Sequence, residues 1–172
     1  DDLACNESPE NNFNIMVGSG EKNTLTCDLK PETPGDVRIY ISGPGEDQIE
    51  DARGHAIVNA GSSDDVVTTG RGSTLVYVEA GWGRDELDIS CEGAELDSQS
   101  FPEQMPAPWQ FKYTNFLIFA PGIAPEDIVY KDGVVRHRNT YDALDLEENC
   151  FNYIFADDLR DAERPGNNSQ LK

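Results

Sequence analysis

Asp47, Asp65 and Asp85 each close a glycine-bearing turn, at intervals of eighteen and twenty residues. A carboxylate is a hard oxygen donor, and calcium takes roughly six to eight such oxygens at about 2.3–2.6 Å. Aspartates recurring at the same point of successive turns predict cation ligation between turns that stack. Other candidates for chemistry are thinner. His55 and His137 could transfer protons near neutral pH, but neither has a nucleophile or carboxylate nearby in sequence that fixes a role. GPGEDQ and GRGST lack the lysine and the strand–helix setting of a phosphate loop. Ser62 and Ser63 have no nucleophile-elbow context. Trp82 follows a turn glycine and Trp109 follows a proline-rich stretch. Each suits a sugar or protein contact, or a place in the core. Asp157, Asp158 and Asp161 read as a solvated acidic face. Asn167 is a formal glycosylation acceptor in a eukaryotic secretory pathway.

The elements that must position the aspartates follow from a nine-residue beat. The segment reads SGPGEDQIE, DARGHAIVN, AGSSDDVVT, TGRGSTLVY, then VE, then AGWGRDELD. Ile49, Val58, Val67, Val76 and Leu87 fall at one point of each unit, and Leu96 extends the beat in ISCEGAELD. No helix or ordinary hairpin needs this period. Six turn residues and a three-residue strand, taken twice, make one coil of eighteen. Each coil covers the apolar residues that its neighbour cannot bury alone. Units two apart then lie on one edge of the coil. Asp47, Asp65 and Asp85 share an edge, while Ala56 and Thr74 mark the other. Any cation therefore belongs to one edge only.

These units resemble the glycine- and aspartate-rich nonapeptide of the RTX, or haemolysin-type, calcium-binding family, G-G-x-G-x-D-x-U-x with U a large apolar residue. Gly43, Gly45 and Asp47 match it. So do Gly61 and Asp65, with Ser63 replacing a glycine, and Gly81, Gly83 and Asp85. The likeness covers residues 42–88. It implies calcium ions held between stacked turns by aspartate carboxylates and turn carbonyls. One ion would lie between turns 43–47 and 61–65, and a second between 61–65 and 81–85. Residues 115–135, with the Leu117–Phe119 strand, Gly122, Ile123 and the Pro125-Glu126-Asp127 turn, are similar to a segment that often accompanies such repeats. The four cysteines depart from families that are often cysteine-free.

Composition bounds the partners. Thirteen basic residues against 33 acidic ones give a formal charge of −20. Such a chain repels nucleic-acid phosphates and anionic membranes and attracts cations. The most apolar run, residues 116–120, is far too short to span a bilayer. Cys5, Cys27, Cys91 and Cys150 form no CxxC pair, which disfavours structural zinc and favours two disulfides. Three pairings are open. Disulfides in turn point to a secreted or cell-surface protein.

Outside the beat, IMV, TLTCDL, VRIYI and FLIF read as strands. APEDI reads as a short helical turn and IVYKDGVVRHR as a hairpin around Asp132-Gly133. CFNYIF fits a strand or part of a short helix. The expected fold is all-β, a short parallel β-roll or β-helix with a small C-terminal β-rich or α+β cap. Residues 1–14 are expected to be flexible, 15–97 to form the roll and 98–172 to form the cap. The expected function is non-catalytic: an extracellular calcium-binding module with a structural, folding or interaction role, and a polysaccharide or an extracellular protein as further partner. The alternative is a secreted polysaccharide-active enzyme with its substrate groove on the β surface.

Overall fold

The structure is a computed structural model that describes residues 2–5, 13–27, 37–53, 55–95 and 113–157. Gly54, Leu96, Trp109, Asp158, Asp161 and Asn167 lie outside the described residues, as does the proline-rich stretch before Trp109.

The roll begins with β1 (Asp2–Ala4), β2 (Phe13–Val17), β3 (Thr24–Cys27), β4 (Val37–Ile41) and β5 (Gln48–Arg53). It continues through β6 (His55–Asn59), β7 (Val66–Arg71), β8 (Thr74–Val78) and β9 (Arg84–Ile89). After it come β10 (Asn115–Phe119), a 3₁₀ turn at Pro125–Asp127, β11 (Ile128–Lys131), β12 (Val134–His137), β13 (Ala143–Leu146) and β14 (Phe151–Phe155). The fold is all-β and built from two largely parallel sheets.

Successive strands of the roll go to opposite sheets. One sheet has the order β1-β3-β5-β7-β9-β13-β12-β11, and the other β14-β10-β8-β6-β4-β2. The β5–β7 and β4–β6 pairings are parallel, with a constant offset of eighteen residues. One coil is therefore two strands and two turns, as the nine-residue beat requires. Ile49, Val58, Val67, Val76 and Leu87 are all buried between the sheets. Leu25, Ile49, Val67, Leu87 and Leu146 form one continuous interior row across the larger sheet. Each such side chain contributes roughly 1.5–3 kcal/mol by leaving water. The apolar beat is thus the core itself.

The Val78-Glu79 insertion leaves the stacking intact. β8 has five residues like β6 but is set one position further along, so that it ends at Val78, which pairs with Phe119 of β10. The C-terminal strands extend the same sheets. β10 and β14 lengthen the six-stranded sheet, β13 continues the other in parallel, and the β11–β12 hairpin turns at Asp132-Gly133. CFNYIF is therefore a strand.

Within residues 1–14, Asp2–Ala4 pair with β3 and Cys5 is bonded to Cys27. The second disulfide joins Cys91 to Cys150. Of the three open pairings, the chain uses the one that ties a partner to each end of the stack. No described helix is long and apolar enough to cross a membrane.

The interior is not wholly apolar. Arg38 of β4 points inward and pairs with Asp51 of β5 at 2.6 Å, while the Tyr40 hydroxyl donates to the other Asp51 oxygen at 3.0 Å. All three residues are buried. Burial, together with the Asp51 charge, pushes the Tyr40 phenol far above its ordinary range.

Candidate metal centre

The site is a column of turns along one edge of the roll. Each turn leaves the six-stranded sheet and enters the larger one. Gly43, Gly61 and Gly81 hold φ values of 95°, 94° and 81°, and Gly45, Ser63 and Gly83 hold 136°, 96° and 90°. Three different sequences therefore adopt one turn shape. Ser63, the departure from the glycine pattern, keeps the glycine conformation and carries the strain. Ser63→Gly should relieve it. Set against the extra chain entropy of glycine, the net gain is about 0.5–1 kcal/mol, a rise of roughly 1–4 °C in the calorimetric melting temperature. A lower melting temperature would mean that the serine side chain stabilises the turn.

The aspartate that closes each turn points inward, two residues ahead of the apolar core position. Asp47, Asp65 and Asp85 are at most 5% exposed. They hydrogen-bond in sequence. The Asp47 backbone N–H donates to Asp65 Oδ1 at 2.8 Å, and the Asp65 N–H donates to Asp85 Oδ1 at 3.1 Å. At the top of the column, the Asn23 N–H and its Nδ2 donate to Asp47 Oδ1 at 2.6 and 2.9 Å. At the bottom, Gly81 and Gly83 donate their N–H groups to the Asp142 carboxylate at 3.2 and 3.3 Å. Asn23 and Asp142 belong to the same edge, but neither stands out in sequence. Asn23 sits in the weak early turn GSGEKN, twenty-four residues before Asp47, and Asp142 follows a hairpin outside the repeat.

One oxygen of each upper carboxylate remains. Asp47 Oδ2 and Asp65 Oδ2 are buried and have no hydrogen-bond partner among the described residues. A buried charge without a partner is costly, so the group shifts its pKa instead. Burial pushes the Asp65 carboxyl up to about 7, opposed by the Asp47 N–H and reinforced by the charges of Asp47, Asp64 and Glu46. Burial likewise pushes Asp85 up to about 8, opposed by the Asp65 N–H and reinforced by Asp65, Asp64 and Asp142. Glu46 and Asp64 thus act through their field. Without a cation the column holds protons near neutral pH.

The donor set fits calcium in kind. It offers anionic oxygens in stacked turns, with two left orphaned. Among the described residues no three His, Cys, Asp or Glu side chains converge as a metal-binding group. The side chains therefore supply only a fraction of a calcium shell, and turn carbonyls would have to supply the rest.

No protein-family model matches the chain, and no curated protein matches it. The reading of the site therefore rests on this chain's own geometry.

The other candidates lie elsewhere. On the opposite edge, the Thr74 hydroxyl meets that of Thr69 at 2.9 Å, and the Thr74 N–H donates to Asn115 Oδ1 at 2.8 Å. Ala56 is buried in the same column and brings no oxygen. His55 Nδ1 accepts from the Ser73 N–H at 3.2 Å. Trp82 is 1% exposed and lies 6.3 Å from the Phe119 ring and 6.0 Å from the His137 ring. It is a core residue, with no face open to a sugar. Asp157 accepts from the Gly122 N–H at 2.8 Å. A pocket of about 240 Å³ lies beside the lowest turn, lined by Asp64, Arg84, Asp85, Glu86, Val134, Arg136, Ala143 and Asp145. It contains neither Trp82 nor His137, so the ingredients of the polysaccharide-enzyme reading do not meet there.

Proposed function

We propose that this chain is a non-catalytic, extracellular calcium-binding β-roll of the RTX type, in which the ion consolidates the stacked turns. The observation that carries the reading is the aspartate column, with Asp47 Oδ2 and Asp65 Oδ2 buried and unpartnered among the described residues. Its upper site uses Asp47 and Asp65 with the turns 43–47 and 61–65. Its lower site uses Asp65 and Asp85 with the turns 61–65 and 81–85. The net charge of −20 supports the same reading, because a cation relieves repulsion that the empty protein must carry. Two disulfides support an oxidising compartment, where millimolar calcium makes weak sites sufficient. The ion stabilises the folded state by mass action and makes the module's rigidity depend on calcium.

The test is a thermal melt at pH 7.5 in chelator and in 5 mM calcium, with magnesium as the control for general charge screening. Calcium should raise the melting temperature by roughly 5 °C or more, as expected for a ligand at about a hundred times its Kd. Magnesium should do much less, because it demands a tighter octahedral shell. A calcium shift below about 1 °C, or an equal shift with magnesium, would sink the proposal.

A further inference from the structure

We propose that the outer face of the six-stranded sheet docks a second copy of this chain. Strand alternation sends one row of side chains from each strand away from the core. In this sheet, Ile15, Ile39, Ile57 and Leu75 stand in one row by register, and Val17 and Ile41 begin the next. Phe116 and Asn152 continue the first row, and Tyr77, Ile118 and Ile154 continue the second; Asn152 is engaged by the Tyr113 and Asn115 carbonyls, so the open apolar part lies toward β2 and β4. Ile15, Val17 and Ile41 are 56%, 58% and 41% exposed. Among the described side chains, no outward position of the six strands holds Asp, Glu, Lys or Arg. In a chain with 33 acidic residues, that is a largely apolar face, with His55, Asn59, Tyr77 and Asn152 as its polar members, where charge would be expected.

The opposite face shows the contrast. Glu50, Glu86, Asp88 and Asp145 point outward and are exposed on the other sheet. The charge is therefore segregated by face, and this selects the partner. A face without cations offers nothing to phosphate or to an anionic lipid surface. One anion reaches its margin, Glu79, whose carboxylate accepts from Asn59 Nδ2 at 3.4 Å, and a single peripheral carboxylate offers little to a basic protein. A second copy matches it, since two such faces meet with little charge to desolvate. Packed sheets lie about 10 Å apart. A face-to-face pair would hold its two acidic surfaces roughly 30 Å apart, several Debye lengths at physiological salt.

The area is sufficient. Six strands at about 4.8 Å spacing and five residues in length present on the order of 500 Å² in plan. Side-chain relief brings this toward the roughly 800 Å² per partner of a standard interface. The symmetry is that of a closed two-fold dimer.

Sedimentation equilibrium of the full chain from 1 to 200 µM, in 0.15 M and 1 M NaCl, reads the result. The expected outcome is a dimer that tightens with salt, because screening removes residual repulsion. Ile41→Lys should weaken it tenfold or more, even though the added positive charge lowers the overall repulsion. Val66→Lys, at a 39% exposed position on the other sheet, should leave it unchanged. If Ile41→Lys fails to melt cooperatively, Ile15→Lys on the terminal strand β2 takes its place. A wild-type monomer at 200 µM in both salts would overturn the proposal, whether the face stays open, binds neutral vesicles or is covered by another segment of the chain. Equal weakening by Val66→Lys would overturn it too.

Discussion

Gly61→Ala should abolish cooperative folding. A Cβ at this position would stand 1.9 Å from the Gly43 carbonyl oxygen and 2.6 Å from its carbon, and the residue holds φ at 94°. Both obstacles are backbone, so no rotamer change relieves them. The only escape is to push the stacked turns away from each other, which also breaks the hydrogen bonds that link Asp47, Asp65 and Asp85. The expected loss exceeds about 4 kcal/mol, a large share of the 5–15 kcal/mol that keeps a typical domain folded. Gly81→Ala is the matched control. Its φ is also positive, at 81°, but nothing lies within 4 Å of the added carbon. It should cost only the conformational strain, about 1–2 kcal/mol. Far-UV circular dichroism and a urea titration of both variants separate close stacking from strain. Equal losses would show that the turns do not stack this closely.

In chelator, the protein should lose stability as pH rises from 5 to 8, and calcium should reverse the trend. The folded-state pKa values of Asp65 and Asp85 are raised to about 7 and about 8, whereas an unfolded aspartate titrates near 3.9. Between those limits the folded state binds more protons than the unfolded one. The stability the two groups contribute is fully present below about pH 4 and is lost as pH rises through 7 and 8. Together they remove several kcal/mol, on the order of 10 °C of melting temperature for a chain of this size. Calcium competes with those protons, so its affinity should rise with pH and its binding should release protons. Calorimetric titration in two buffers of different ionisation enthalpy counts them directly. The double variant Asp65→Asn/Asp85→Asn sharpens the test. Asn23 already occupies this column, and its Oδ1 accepts the Ser19 N–H at 3.1 Å as an asparagine at 65 would accept that of Asp47. The variant should therefore be more stable than wild type in chelator at pH 8, yet gain nothing from calcium. A variant that is less stable in chelator and still responds to calcium would refute the linkage.

The coil itself was legible in the sequence. Ile49, Val58, Val67, Val76 and Leu87 repeat because each must fill the same interior place, and a repeated burial demand leaves a repeated letter. The shared edge of Asp47, Asp65 and Asp85 was legible for the same reason. What the beat does not carry is whatever interrupts it. Asn23 and Asp142 end the aspartate column, and an end occurs once and leaves no period. Arg38, Tyr40 and Asp51 meet across the interior from opposite sheets, and no spacing rule announces that Asp51 faces a guanidinium rather than water. Trp82 illustrates the limit at a single position. It follows a turn glycine, a setting shared by exposed tips, yet its ring packs between Phe119 and His137. The cysteine pairing depends on which strand closes each end of the stack, and that is decided by the whole topology.

The constant register has a consequence for how such a molecule can change in length. In the middle coils residue n sits over residue n + 18, while the steps before and after are 24 and 20. Excising residues 48–65 would join Asp47 to Val66 at equivalent points of the path, and every remaining strand would find a neighbour of the right kind. Within the regular middle of the stack, length therefore changes by whole coils, a genetic step of fifty-four nucleotides for eighteen residues. A step of any other size has to be absorbed locally, as Val78-Glu79 is taken up between the start of β8 and the turn before β9. The quantum is exact for the backbone and inexact for the filling. In the shortened molecule Arg38 would face Thr69 in place of Asp51. The shortened molecule would therefore stack, but around a buried guanidinium that has lost its carboxylate.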